Sequence, residues 1–246
     1  MSWNGFAPCE AIFFDLDDTL IDFGGGVEAS WQAVCAEVAV PGAGFSASEL
    51  RAAITRVGGW YWSDPERHRT GRADLLAATI TIVSQALDGF GVANATLARE
   101  IATRYRALRD DGLVVYPGAI ELLDELLLAG HALAVITNGE TLFQRAKLER
   151  FNLERYFSYV GIEGEAGVGK PDVEAYWRAL RSLDCDPAGA WMVGDNLEWD
   201  VVSPQSLGLR TVWIDRRGHG LPDGTAARPD HVVASVADLR AAAARE

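Results

Sequence analysis

Residues 10–20 read EAIFFDLDDTL, so three carboxylates, Asp15, Asp17 and Asp18, follow directly on an apolar run. Like charges this close disfavour one another's ionised form and cost free energy unless a cation or hydrogen bonds compensate. Three other segments carry polar groups at similar places: Thr137-Asn138-Gly139 after Ala134–Ile136, Lys170 in GKP, and Asp195 in VGDNLEWD, which ends at Asp200. Each group alone has a plainer reading. An isolated aspartate at a strand end usually serves a turn or a cap, a single lysine is usually solvated, and threonine suits a strand.

The elements around these residues change that balance. Short apolar runs alternate with helical patterns, which predicts βαβ units and a parallel sheet. Strands are expected at Ala11–Asp15, Ala132–Ile136, Phe157–Ile162, Trp191–Gly194, Thr211–Ile214 and His231–Ala234. Helices are expected near Ala119–Ala129, Leu142–Phe151, Val173–Leu183 and Val236–Arg245. Ligand sites in open parallel sheets lie outside the carboxyl ends of the strands. Acids, a hydroxyl and an ammonium from four segments therefore point at one crevice.

From Val27 to about Asp110 the pattern is helical only, with helices expected at Val27–Val38, Ser48–Val57, Ala73–Leu87 and Thr96–Arg109. Ser46 with Glu49 suggests a capping box, and Asn94 an N-cap. Gly24-Gly25-Gly26 enters this block and Asp110-Asp111-Gly112 leaves it. The expected organisation is a core of residues 1–23 and 113–246 with a mobile helical cap, 24–112, inserted between its first two strands.

Composition narrows the function classes. A net charge of −13 argues against a nucleic-acid binder, which would carry a basic stripe. Cys9, Cys35 and Cys185 form no CxxC and no even set, which points to a reducing compartment rather than a disulfide framework. No basic-then-apolar leader and no apolar run of membrane-spanning length is present, so a cytoplasmic protein without a membrane partner is expected.

One short motif misleads. Gly164 to Lys170 fits the opening of a P-loop, GxxxxGK, but Pro171 stands where a Ser or Thr must ligate Mg²⁺. The glycines are better read as a loop that presents Lys170.

Asp15-Leu16-Asp17-Asp18-Thr19, Thr137 in ITNG, Lys170 in GKP, and Gly194-Asp195 with Asp200 match, in order, the four motifs of the haloacid dehalogenase-like (HAD) hydrolase superfamily. The resemblance covers nearly the whole core, and the helical insertion resembles the family's C1-type cap. It implies an α/β fold, a Rossmann-like doubly wound parallel sheet. It further implies that Asp15 attacks phosphorus and forms an aspartyl-phosphate, and that Asp17 protonates the leaving alcohol and later takes a proton from water. Mg²⁺ is the implied cofactor, on Asp15, Asp195 and the backbone carbonyl of Asp17, with Asp200 in support. Lys170 would pair with Asp15 and the phosphate, and Thr137 would bind a phosphoryl oxygen, helped by Asn138. The last motif departs from the common pattern: Trp199 replaces an Asn and Glu198 stands beside it, so the supporting acid is Asp200 or Glu198. SPQSLG at Ser203–Gly208 also replaces the commoner Gly/Ala-rich helix.

The resemblance also sorts the reactions. Dehalogenases of the superfamily lack the acid found here as Asp17, because a halide needs no proton. A phosphonate hydrolase would need a Schiff-base lysine from the cap, and Val27–Asp110 contains none. The expected activity is hydrolysis of a small phosphorylated metabolite, such as a sugar phosphate or nucleotide, by a monomer or homodimer. A phosphomutase of the same fold and a non-catalytic HAD-like binding module are the alternatives. In the cap, GGWYWSDPERHRTGR at Gly58–Arg72 combines aromatic rings with guanidinium groups, so Arg67 and Arg72 are candidate substrate-binding residues.

Overall fold

The computed structural model describes residues 10–240. The chain divides into two compact units, Met1–Asp22 with Val114–Glu246, and Phe23–Leu113. The strands of the first unit, in chain order, are β1 (Ala11–Phe14), β2 (Ile21–Asp22), β3 (Val114–Val115), β4 (Ala132–Thr137), β5 (Tyr159–Ile162), β6 (Ala190–Gly194), β7 (Arg210–Ile214) and β8 (His231–Val233). Six of them form a parallel sheet in the order β5-β4-β1-β6-β7-β8, and β2 pairs antiparallel with β3.

β1 lies at the centre, with Phe14 beside Val135 of β4 and Val193 of β6. All four of its side chains are fully buried. A strand covered on both faces must be apolar throughout, which is why AIFF shows no alternation. The chain runs outward from β1 to β4 and β5, then returns to place β6 on the other side of β1. The reversal makes a crevice at the carboxyl ends of β1 and β6. Phe13, Met192, Tyr176 and Leu180 belong to one buried cluster beneath it.

The remaining helices of this unit are α6 (Ala119–Leu128), α7 (Thr141–Arg150), the four-residue α8 (Glu163–Ala166), α9 (Val173–Ser182) and the four-residue α10 (Ser203–Ser206). The strand expected from Phe157 begins at Tyr159, because Glu154–Tyr156 forms a 3-10 turn that takes the Phe157 N–H. Of the expected helix Val236–Arg245, Val236–Leu239 is a 3-10 turn held by a Ser235–Asp238 capping box. Its end beyond Arg240 lies outside the described residues.

The second unit consists of α1 (Val27–Val38), α2 (Ala47–Trp62), α3 (Pro65–Ala73), α4 (Leu75–Asp88) and α5 (Ala95–Asp111). Ser46 and Glu49 make the capping box, and the Asn94 side chain accepts from Leu97 N at 3.0 Å. The sequence reading left out α3. Asp64 accepts from Arg67 N at 2.8 Å and Pro65 takes the first turn, a start signal that the aromatic and cationic content of this stretch obscured. The helix expected from Ala73 starts instead at Leu75, because Asp74 caps it through Ala77 N. Trp31, Leu50, Ile54, Val83, Leu87 and Ile101 form the core of this unit.

Candidate active site

Asp15 directly follows β1, and its N–H donates to Val193 O at 2.9 Å, so it stays in register with β6. Asp195 follows β6, and its carbonyl accepts from the Trp213 indole at 2.8 Å. Asp200 arrives from a π-helical segment, Leu197–Val202, a wide turn of the kind found at functional sites. Asn196 starts that segment by accepting from the N–H groups of Glu198 and Trp199, and its own N–H donates to Asp200 Oδ2 at 3.0 Å. The Tyr176 hydroxyl donates to Trp199 O and holds the turn from below. Asp200 packs onto the backbone at Gly194, where a Cβ would lie 2.2 Å from its carboxyl carbon.

Ligand-capable oxygens of Asp15, Asp195 and Asp200 lie within 4.8 Å of one another. Glu198 is exposed and outside this group, so Asp200 is the acid that the fold brings in. Lys170, fully buried, donates to Asp15 at 2.7 Å and to Asp200 at 2.6 Å. Burial works against its ammonium, but the charges of Asp15 and Asp200 outweigh this and raise its pKa. Burial also pushes Asp15 up to about 7, with Lys170 opposing the rise and Asp200 adding to it. Asp195, although solvent-facing as a residue, is pushed up to about 8 by desolvation of its carboxyl and by Asp15 and Asp200.

With all three acids ionised, one ammonium leaves two negative charges without a partner in the cluster, which with burial is why two of the acids hold their protons so high. A hard divalent cation restores the balance, and carboxylate and carbonyl oxygens are the donors it prefers. The backbone after β1 also suits it. The local bridge between Asp17 and Ile21 uses Leu16 O and Asp18 N, which leaves the Asp17 carbonyl outside it. Asp18 adopts φ 59°, so the chain turns sharply just past the two acids. These residues fit Mg²⁺ by charge and by donor type.

The family model for haloacid dehalogenase-like hydrolases matches residues 9–208. The chain belongs to this family. The HAD-like hydrolase is 43% identical over 127 residues to a phosphoserine phosphatase of Thermus thermophilus, a match covering 51% of this chain and 49% of that protein. It therefore spans about half the length of that relative. An N-acylneuraminate-9-phosphatase of Rattus norvegicus is 27% identical over 255 residues, covering 96% of this chain and 94% of that protein. Among solved structures, the HAD-hydrolase YfnB of Bacillus subtilis superposes with a TM-score of 0.73 at 19% identity, over 96% of this chain and 99% of that one. The fold is the Rossmann-like one of these proteins, and the inserted helical unit fits the C1-capped type.

Two further side chains meet Asp17 that the motifs do not mark. Lys147, buried on α7, donates to both carboxylate oxygens of Asp17 at 2.7 Å. Gln144, one turn earlier, donates to Asp17 Oδ2 at 3.0 Å and to Thr137 Oγ1 at 2.8 Å. A signal existed: Gln144, Lys147 and Leu148 share the buried face of α7, and polar groups on a buried face need partners.

Other expected residues take different places. The Asn138 side chain accepts from Lys170 N at 2.8 Å and donates to Lys170 O at 2.6 Å, so it clamps the lysine backbone. In the glycine-rich stretch, Gly164 N donates to Gly139 O, Gly167 N to Glu163 O and Lys170 N to Asn138, so these three amides are taken up within the protein. Arg67 folds back on its own unit, donating to Trp60 O at 2.7 Å and lying 3.9 Å over the Trp60 ring. Arg72 contacts His68 Nδ1 at 3.3 Å. Neither lines the cavity of the helical unit. No helix among the described residues is long and apolar enough to cross a membrane.

Proposed function

We propose that this HAD-like hydrolase is a Mg²⁺-dependent phosphatase that cleaves small phosphomonoesters through an aspartyl-phosphate on Asp15. The observation that carries the reading is the convergence of Asp15, Asp195 and Asp200 around Lys170 at the sheet reversal. Asp15, Asp195 and the Asp17 carbonyl would hold Mg²⁺, with Asp200 supporting. The ion, when bound, supplies positive charge for the transferring phosphoryl group.

The chain's own residues divide the remaining work. An Asp15 carboxylate oxygen attacks phosphorus, and the P–O bond to the alcohol breaks. Asp17, as a carboxylic acid, gives its proton to the departing oxygen. The Asp17 carboxylate left behind is stabilised by Lys147 and Gln144. It then takes a proton from the water that attacks the aspartyl-phosphate, releasing inorganic phosphate and restoring Asp15 and Asp17. The Thr137 hydroxyl accepts from Gln144 and donates at 3.5 Å to Asn138 O, a long bond that it would exchange for one to a phosphoryl oxygen. Lys170 holds Asp15 and balances charge as phosphate enters.

Two things favour hydrolysis of phosphate esters within the family. Asp17 is the proton source that an alkoxide needs and a halide does not. The two relatives by sequence described above are phosphatases. Purified protein with Mg²⁺ should hydrolyse p-nitrophenyl phosphate, and EDTA or Asp15→Asn should stop it. Inactivity of folded protein across a broad panel of phosphorylated metabolites would overturn the reading.

A further inference from the structure

The helical unit carries a half-open cavity of about 380 Å³ whose lining residues come from α1, α2, α4, α5 and Phe23. That volume lies within the range of small-molecule sites, roughly 300–1,000 Å³. Its walls include the rings of Phe23, Trp31, Trp62 and Tyr105 and the side chain of Ile54. Trp31 and Tyr105 stack with centroids 3.7 Å apart, which fixes one flat aromatic wall.

The cavity is also lined by Arg109, which is only 3% exposed. Its guanidinium donates to the Phe23 carbonyl and, at 3.4 Å, to the Tyr105 hydroxyl. It lies 4.6 Å from the Phe23 ring centroid and 5.9 Å from that of Tyr105. All of these partners are neutral. Arg51 and Arg106, at the same cavity, pair with Glu28 and Asp110. A guanidinium buried without an anion is costly, and ring faces offset only part of that cost.

An independent feature keeps the space open. Gly58 and Gly59 lie inside α2 and line the cavity, and a Cβ built on either meets nothing within 4 Å. Glycine inside a helix costs about 0.5–1 kcal/mol relative to alanine. Here two of the lining residues carry no side chain at all.

We propose that this cavity is a binding site for a small organic anion, with an apolar, flat body against the rings and a carboxylate or phosphate on Arg109. Such an anion would be a small metabolite held within the helical unit itself. Binding is an equilibrium property, so the proposal does not depend on turnover and stands apart from the phosphatase reading.

Isothermal titration of the full chain with 3-phenylpropionate and its neutral counterpart 3-phenylpropan-1-ol tests it. The carboxylate should bind saturably and at least roughly tenfold more tightly than the alcohol, as expected for a charge-assisted bond. Gly58→Leu should abolish binding while keeping or raising Tm, and Arg109→Met should remove the preference for the acid. Should Arg109→Met fail to fold, Gly58→Leu still decides. No binding of the carboxylate, equal binding of acid and alcohol, or binding unchanged by Gly58→Leu overturns the proposal.

Discussion

Lys147 holds both carboxylate oxygens of Asp17 at 2.7 Å, across 130 residues of chain. The lysine is buried, and its ammonium also lies 4.1 Å from the Phe143 ring centroid, while Asp17 keeps one side open to solvent. In the proposed mechanism it fixes the direction of the proton carrier and steadies the anion left after proton transfer.

Lys147→Met should therefore lower kcat by roughly 10–100-fold, short of the ~10²–10⁴-fold typical of losing the acid–base group itself. Stability should fall by about 1–3 kcal/mol in urea unfolding, because a charged hydrogen-bonded partner is removed. The double variant with Asp17→Asn should be less destabilised than the sum of the two single changes. Strict additivity would show that the contact carries no coupling.

Gly194→Ala tests the close approach at the end of β6. A methyl group there would sit 2.2 Å from the Asp200 carboxyl carbon, so either the acid or the strand must move. A loss of about 1–3 kcal/mol is expected from this overpacking. A Mg²⁺ titration followed by Tm should show weaker metal binding. An unchanged midpoint would mean that Asp200 can leave its place without affecting the metal.

Lys170→Met should destabilise the metal-free protein by about 3–5 kcal/mol, the usual cost of leaving buried charges unpaired. It leaves Asp15 and Asp200 facing each other with their shared ammonium gone. Adding Asp200→Asn to Lys170→Met should recover part of that loss, measured by denaturant unfolding in EDTA. Further loss in the double variant would contradict the charge argument.

The pH dependence follows from two acids raised on folding. Asp15 is pushed up to about 7 and Asp195 up to about 8, from an ordinary value of 3.8. In that direction the folded state binds more protons than the unfolded one. The stabilising contribution is therefore full at pH values below the ordinary value and is lost as pH rises through about 7–8. In EDTA, Tm of the wild type should fall relative to Asp195→Asn between about pH 6 and pH 8. The Tm rise on adding Mg²⁺ should grow over the same interval, because the ion displaces fewer protons. A pH-independent rise would sink this account.

The sequence by itself determined the strand–helix alternation, the helical insertion and the identity of Asp15, Asp195 and Lys170 as residues of one site. These are local properties: apolar runs mark buried strands, caps mark helix starts, and strand ends in a parallel sheet open on one crevice. Tertiary structure alone decided which side chains meet there. Periodicity marked Gln144 and Lys147 as facing inward on α7 but did not name Asp17, whose place depends on the turn at Asp18. Asn138 went to the Lys170 backbone because the glycine-rich stretch brings that backbone within hydrogen-bond reach. Asp200 entered the site and Glu198 did not, because the π-helical segment rotates one acid inward and leaves the other in solvent. Composition makes Arg67 and Arg72 candidate substrate-binding residues; packing sets Arg67 over the Trp60 ring, brings Arg72 to His68, and places Arg109 on a cavity that only packing creates. A side chain's direction is set by the turn that carries it and by what is packed opposite, and neither is written in the spacing of residue types.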